Sequence, residues 1–198
     1  MGVYDTAGGS KGVSIKGRME RVRLKFKGVS EIVGSDEIGL LILTDISEQN
    51  QLAIPCDRAM IREFGLRIGH AEVVGRLLPE VLWHVIAMQT NMQFEVLITG
   101  IMDGQYRSLL VNTGNQEPVA IRISDAVLLA YIAKLPIYID SVLMSKQCAP
   151  YVKEAQGVAI PVNTISTDML KDALAKAIEE EKYELASHLR DELRRRRL

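Results

Sequence analysis

Between residues 20 and 29 hydrophobic and polar positions alternate. Val22, Leu24 and Phe26 fall on one side of an extended chain, and Arg21, Arg23, Lys25 and Lys27 fall on the other. A period of two predicts a strand. GLLILTD (39–45) and QLAIP (51–55), separated by the polar SEQN, predict a hairpin. Asp57 is placed to cap a short helix, RAMIREFGL (58–66), ended by Gly65 or by Gly69 after it. LLPEVLWHVIAMQT (77–90) predicts a longer helix, with Pro79 and Glu80 suited to its first turn.

MQFEVLITGI (92–101) and QYRSLLVN (105–112) predict two strands joined by a turn at Asp103-Gly104. After the polar loop NTGNQE, PVAIRI (118–123) returns as a strand. SDAVLLAYIAK (124–134) then predicts a helix that Pro136 stops. IYI (137–139) reads as a buried strand and SVLMSKQ (141–147) as a last short helix. The segment APYVKEAQGVAIPVN (149–163) has no clear period and reads as a linker.

Beyond it, apolar residues recur three and four apart among many charges. Leu170, Leu174 and Ile178 line one predicted helix, and Leu185, Leu189 and Leu193 line a second, joined near Lys182-Tyr183. Isolated helices this short are marginal in water, so the hairpin needs something to pack on. The expected class is α+β: a mainly antiparallel sheet with packed helices, then a helical hairpin. The expected division is an N-terminal arm (1–18), a main domain (19–149), a linker (150–166) and the hairpin (167–198).

Composition narrows the function classes. The 198 residues are 47% hydrophobic but only 5% aromatic, so the core rests on Leu, Ile, Val and Met. The net charge of −1 neither argues for nucleic acid nor excludes it. Cys56 and Cys148 are too few for a disulfide framework, which suits a reducing, cytoplasmic setting. No apolar run reaches the roughly 20 residues of a membrane helix, and no signal peptide is visible. MGVYDT has the Gly2 and Thr6 spacing of an N-myristoylation signal, a short pattern that chance often produces.

The chemistry-bearing stretch is RISDAV, at 122–127. Ser124 is placed as an N-cap and Asp125 at the positive end of the helix. Arg122 is not explained by capping. It reads either as an ion-pair partner of Asp125 or as a holder of phosphate or carboxylate. The cations Arg21, Arg23, Lys25 and Lys27 repeat every ~6.7 Å along a strand, near the phosphate spacing of an extended nucleic-acid strand. The alternative reading is an exposed strand whose charges prevent edge-to-edge pairing.

IRISDAVLLAYIAKLPIYIDSVLM, with GLLILTD, QLAIPCD, RLLPEVL and FEVLITGIMDGQYRSLLV before it, closely resembles the bifunctional nuclease domain family. The likeness covers about residues 19–147. The sequence departs from the common pattern at Ile123, where Pro is usual, and at Leu78-Pro79-Glu80, where many members carry Thr-His-Asp. LAKAIEEEKYELASHLRDEL (174–193) is similar to the UVR motif of the excision-repair proteins B and C, which mediates protein contact.

The first resemblance implies RNase and DNase activity. Such a reaction needs charge stabilisation at the phosphoryl oxygens, a base for water, and commonly a divalent metal. The expected catalytic set is Arg122, Asp125, Glu80 and Ser124, with Arg21, Arg23, Lys25 and Lys27 binding nucleic acid and Mg²⁺ or Mn²⁺ as the metal. His84, one turn beyond Glu80, reads as a substitute for the missing His or as a core residue. Asp57 and Asp103 are weaker candidates, because a cap and a turn explain them. The alternative function is a non-catalytic regulatory or scaffold protein that binds an anionic ligand and recruits a partner through the hairpin. Homo-oligomers are expected under both.

Overall fold

The computed structural model describes residues 20–31, 38–153, 161–164 and 167–196. The expected arm at 1–18 and most of the expected linker lie outside the described residues. The described elements are β1 (Arg21–Glu31), β2 (Ile38–Asp45), β3 (Asn50–Asp57), α1 (Arg58–Ile68), α2 (Leu78–Gln89), β4 (Phe94–Met102), β5 (Gln105–Asn112), β6 (Pro118–Arg122), α3 (Ile123–Ala133), β7 (Ile137–Asp140), α4 (Ser141–Gln147), β8 (Ala149–Pro150), α5 (Thr167–Glu179) and α6 (Tyr183–Arg196). All eight strands join one sheet in the order β6-β5-β4-β7-β1-β2-β3-β8. Every neighbour pair is antiparallel except β4 and β7. The expected α+β class is the class found.

Local chemistry sets several boundaries. Asp57 caps α1 by accepting from the Met60 amide at 2.8 Å, and the helix runs through Gly65 to stop at Gly69. Asp45 closes the β2–β3 turn by accepting from the Gln49 and Asn50 amides. Asp103 and Gly104 both have positive φ, 52° and 77°, which matches the primed hairpin turn expected there. Lys134 ends α3 in the left-handed region, two residues before Pro136.

Three expectations need correction. Ser124 is not the N-cap: α3 begins at Ile123, its boundary residue is Arg122, and Ser124 lies inside the first turn at 3% exposure. The cap falls earlier because β6 runs directly into the helix and buries Ile123 on entry. Next, β1 is an interior strand, bonded to β7 and β2, so its cations do not guard an edge. Finally, the linker begins with β8, whose Pro150 and Ala149 pair with Asn50 and Gln51 along the far edge of β3.

The main core lies between one sheet face and helices α1 and α3. Ala126 and Val127 of α3 are fully buried against Leu41, Leu43, Val96 and Ile98 of the strands. Phe26, Phe64 and Tyr131 form a ring cluster with centroids 4.6 to 5.8 Å apart, tying β1, α1 and α3 together. The sheet curls around α3. Arg122 ends β6 at one edge and Asp57 ends β3 near the other, with five strands between them in the sheet order. A flat sheet would hold them about 29 Å apart, yet their side chains meet at 3.0 Å.

The hairpin α5–α6 has a core of its own: Leu170, Ala177, Ala186, Leu189 and Leu193. Ile178 and Leu185, expected inside, are 54% and 44% exposed. The small Ala177 and Ala186 occupy the seam instead, allowing the helices to approach closely, and the larger residues turn outward.

Candidate functional site

Arg122 stands at the junction of β6 and α3. Its guanidinium donates to both oxygens of Asp125, from Nε to Oδ2 at 2.8 Å and from Nη2 to Oδ1 at 3.0 Å. Its remaining nitrogen, Nη1, donates to Asp57 Oδ2 at 3.0 Å. The helical offset of three residues places Asp125 for this two-point contact. The curl of the sheet supplies Asp57. The hydrogen bonds to Asp125, aided by those to Asp57, raise the Arg122 pKa further and keep it cationic.

Directly across the β5–β6 ladder from Arg122 is Arg107. Opposed residues of an antiparallel pair share one face with Cβ atoms about 5 Å apart. Arg107 has no carboxylate partner among the described residues; its guanidinium contacts the Met102 sulfur at 2.9 Å. Two guanidiniums therefore stand side by side, one neutralised and one not.

Both line a cleft of about 870 Å³. Its walls come from β5, β6, the end of β3 and the start of α3, with Thr164 and Met169 closing it from the C-terminal segment. Ser108 reaches across the ladder to donate to the Ile121 carbonyl at 2.6 Å, which fixes the β5–β6 floor. Ser124 and Tyr106 line the same cleft. The Tyr106 hydroxyl is buried without a hydrogen-bond partner among the described residues, and burial raises its pKa so that it stays protonated. Burial, with Asp57 adding to it, pushes the Cys56 thiol up to about 12, which leaves it a poor nucleophile near neutral pH.

The structure thus brings Arg122, Asp125 and Ser124 together, and adds Asp57 and Arg107. Glu80 is not with them. Its carboxylate is held by Arg67, Nε–Oε1 at 2.7 Å and Nη2–Oε2 at 2.9 Å, and it does not line the cleft. Arg67 is buried and also binds Glu63, so Glu80 joins α1 to the start of α2. His84 is exposed on α2, in neither core nor cleft. Asp103 is accounted for by its turn.

Of the β1 cations, Arg21 pairs with Glu95 at 2.6 Å and Lys27 with Glu48 at 2.9 Å. Arg23 and Lys25 are exposed and make no ion pair among the described residues. None of the four lines the cleft.

Among the described residues no three His, Cys, Asp or Glu side chains gather as ligands. Asp57, which lines the cleft, and Asp125 beside it both commit oxygens to Arg122. Arg107 was missed by sequence reasoning, although QYRSLL carried a usable signal. Tyr106 and Ser108 alternate inward, leaving Arg107 on the opposite face, but only the register sets it against Arg122.

Among the described residues no helix is long and apolar enough to cross a membrane. A search among curated proteins returned no match. The family model described as the bifunctional nuclease domain matches residues 41–151, more than half of the sequence and a span that contains Asp57, Arg107, Arg122 and Asp125. The chain belongs to the bifunctional nuclease domain family.

Proposed function

We propose that the cleft binds a phosphodiester of RNA or DNA between Arg107 and Arg122 and that the protein hydrolyses it there. The observation that carries this reading is the cross-strand register that sets a guanidinium with no carboxylate partner among the described residues beside a paired one. Planar guanidiniums match phosphate oxygens two at a time.

The steps follow from the bonding in the free protein. An entering phosphate takes hydrogen bonds from Arg107 and competes with Asp57 for Arg122 Nη1. Displacement frees Asp57 Oδ2 to accept a proton from water. The water oxygen forms a bond to phosphorus, the P–O ester bond breaks, and the leaving oxygen takes a proton from solvent. The two arginines stabilise the charge that develops on the nonbridging oxygens. Asp125 keeps Arg122 in place as a positioning residue. No step passes through a metal. Nucleic acid entering the cleft can extend past Arg23 and Lys25, and the hairpin serves association with a protein partner.

One observation favours a non-catalytic reading. Asp57 and Asp125 are both held by the same arginine, so neither carboxylate is free until a ligand displaces it. The test is cleavage and fluorescence-anisotropy binding of labelled single-stranded RNA and DNA, with Mg²⁺, Mn²⁺ or EDTA. Wild type is compared with Arg107→Ala, Arg122→Ala and Asp57→Asn, each checked for folding by circular dichroism. Cleavage that persists in EDTA and is lost in folded variants supports the hydrolase. Binding without cleavage above background supports the scaffold reading. Cleavage unchanged in all three variants removes this cleft as the site.

A further inference from the structure

Helix α2 is oriented against its own amphipathicity. Its one acidic residue, Glu80, points inward to the buried Arg67, and Trp83 packs on the same side against Phe94. The opposite arc carries Leu78, Val81, Leu82, Val85, Ile86 and Met88, recurring three and four apart. All six are exposed, Leu78 and Met88 at 69%. A surface helix normally turns such a stripe toward the core. Here the core side is occupied by an ion pair, and the apolar side is left to water.

We infer that this face of α2 pairs with the same face of a second copy of the chain. Three observations select that occupant. The stripe exposes on the order of 600 Å² of apolar side chain, as large as the largest patch tolerated on a typical monomer and close to one partner's share of a standard interface. Glu80 is the only Asp, Glu, Lys or Arg between Leu78 and Gln89, and it is used internally. A two-fold axis brings like onto like, so an uncharged apolar face is self-complementary where a charged one is not. The absence of Lys and Arg from the helix also disfavours a membrane surface, since interfacial helices carry basic residues on their polar face.

The pairing places two α2 helices face to face, with their Arg67–Glu80 pairs behind them as rigid backing. It involves none of the residues that line the cleft. The full chain is therefore expected to sediment at twice its 22.0 kDa mass at micromolar concentration. The double variants Leu82→Glu/Val85→Glu and Leu82→Lys/Val85→Lys, each with unchanged circular dichroism, should each sediment as single chains. Mixed in equal amounts, they should re-associate, because opposite charges then meet across the axis. Wild type at single-chain mass overturns the inference, including the case where it instead co-sediments with phosphatidylglycerol vesicles. Folded double variants that remain dimeric overturn it as well.

Discussion

Arg107 and Arg122 face each other across the β5–β6 ladder, and of the two only Arg122 binds the nearby carboxylates of Asp57 and Asp125. Like charges directly opposed weaken a strand pair by some tenths of a kcal/mol. Arg107→Ala is therefore expected to leave the melting temperature unchanged or slightly raised. The same change should weaken oligonucleotide binding about tenfold and reduce the slope of log affinity against log salt by about one. Anisotropy titrations at several KCl concentrations check this; an unchanged affinity and slope would take Arg107 out of the site.

Glu80 is expected to be structural. Removing one partner of a buried ion pair leaves the other uncompensated. Glu80→Gln should lower stability by about 1–3 kcal/mol, and Arg67→Ala by about 3–5 kcal/mol. Neither should change cleavage or binding by the folded protein. Denaturant melts paired with activity per folded molecule test this. A large loss of activity in folded Glu80→Gln would restore the carboxylate to the catalytic set.

Cys56 should be inert in the native state. With its thiol pushed up to about 12, the thiolate fraction at pH 8 is on the order of one in ten thousand. Mass-resolved alkylation by iodoacetamide should spare Cys56 at pH 8 in the folded protein and label it in urea. The folded pKa lies above the unfolded value near 8.5. Its contribution to stability is therefore complete below about pH 8.5 and is lost as pH rises toward 12. Cys56→Ala should flatten that alkaline decline.

Glu192 predicts an acid limb for the hairpin. Burial acts to raise its pKa, but hydrogen bonds from Arg196 and Arg195 outweigh burial and hold it below the usual carboxylate range. The stabilisation is full above the unfolded value near 4.3 and is lost as pH falls through the lower folded one. Helicity followed by circular dichroism from pH 6 to pH 2 should decline less steeply in Glu192→Gln. Identical acid limbs would show that the Arg196 contact contributes nothing.

Much of the fold is legible because it is local. The alternation at 21–27 specifies β1, Asp57 specifies the start of α1, and Asp103-Gly104 specifies a turn. Errors arise where tertiary packing decides. Ser124 has the composition of a cap, but burial of Ile123 moves the helix start ahead of it. Glu80 looked like a site residue because a family pattern places chemistry there, yet it is claimed by an arginine thirteen residues earlier in sequence; His84 read as a substitute or as a core residue and is exposed.

The sequence by itself determined most of the elements and their order, and offered the pairing of Arg122 with Asp125 as one of two readings. Periods, caps and a three-residue offset depend only on neighbours along the chain. The tertiary structure decided the rest. Alternation tells which face a residue occupies but not which strand lies beside it, so the insertion of β7 between β4 and β1 could not be read. Nor could the register that opposes Arg107 to Arg122, or the curl that carries Asp57 to Arg122 past five intervening strands. Those follow from closing the whole sheet around one buried helix, a condition that every strand meets together and no short segment encodes.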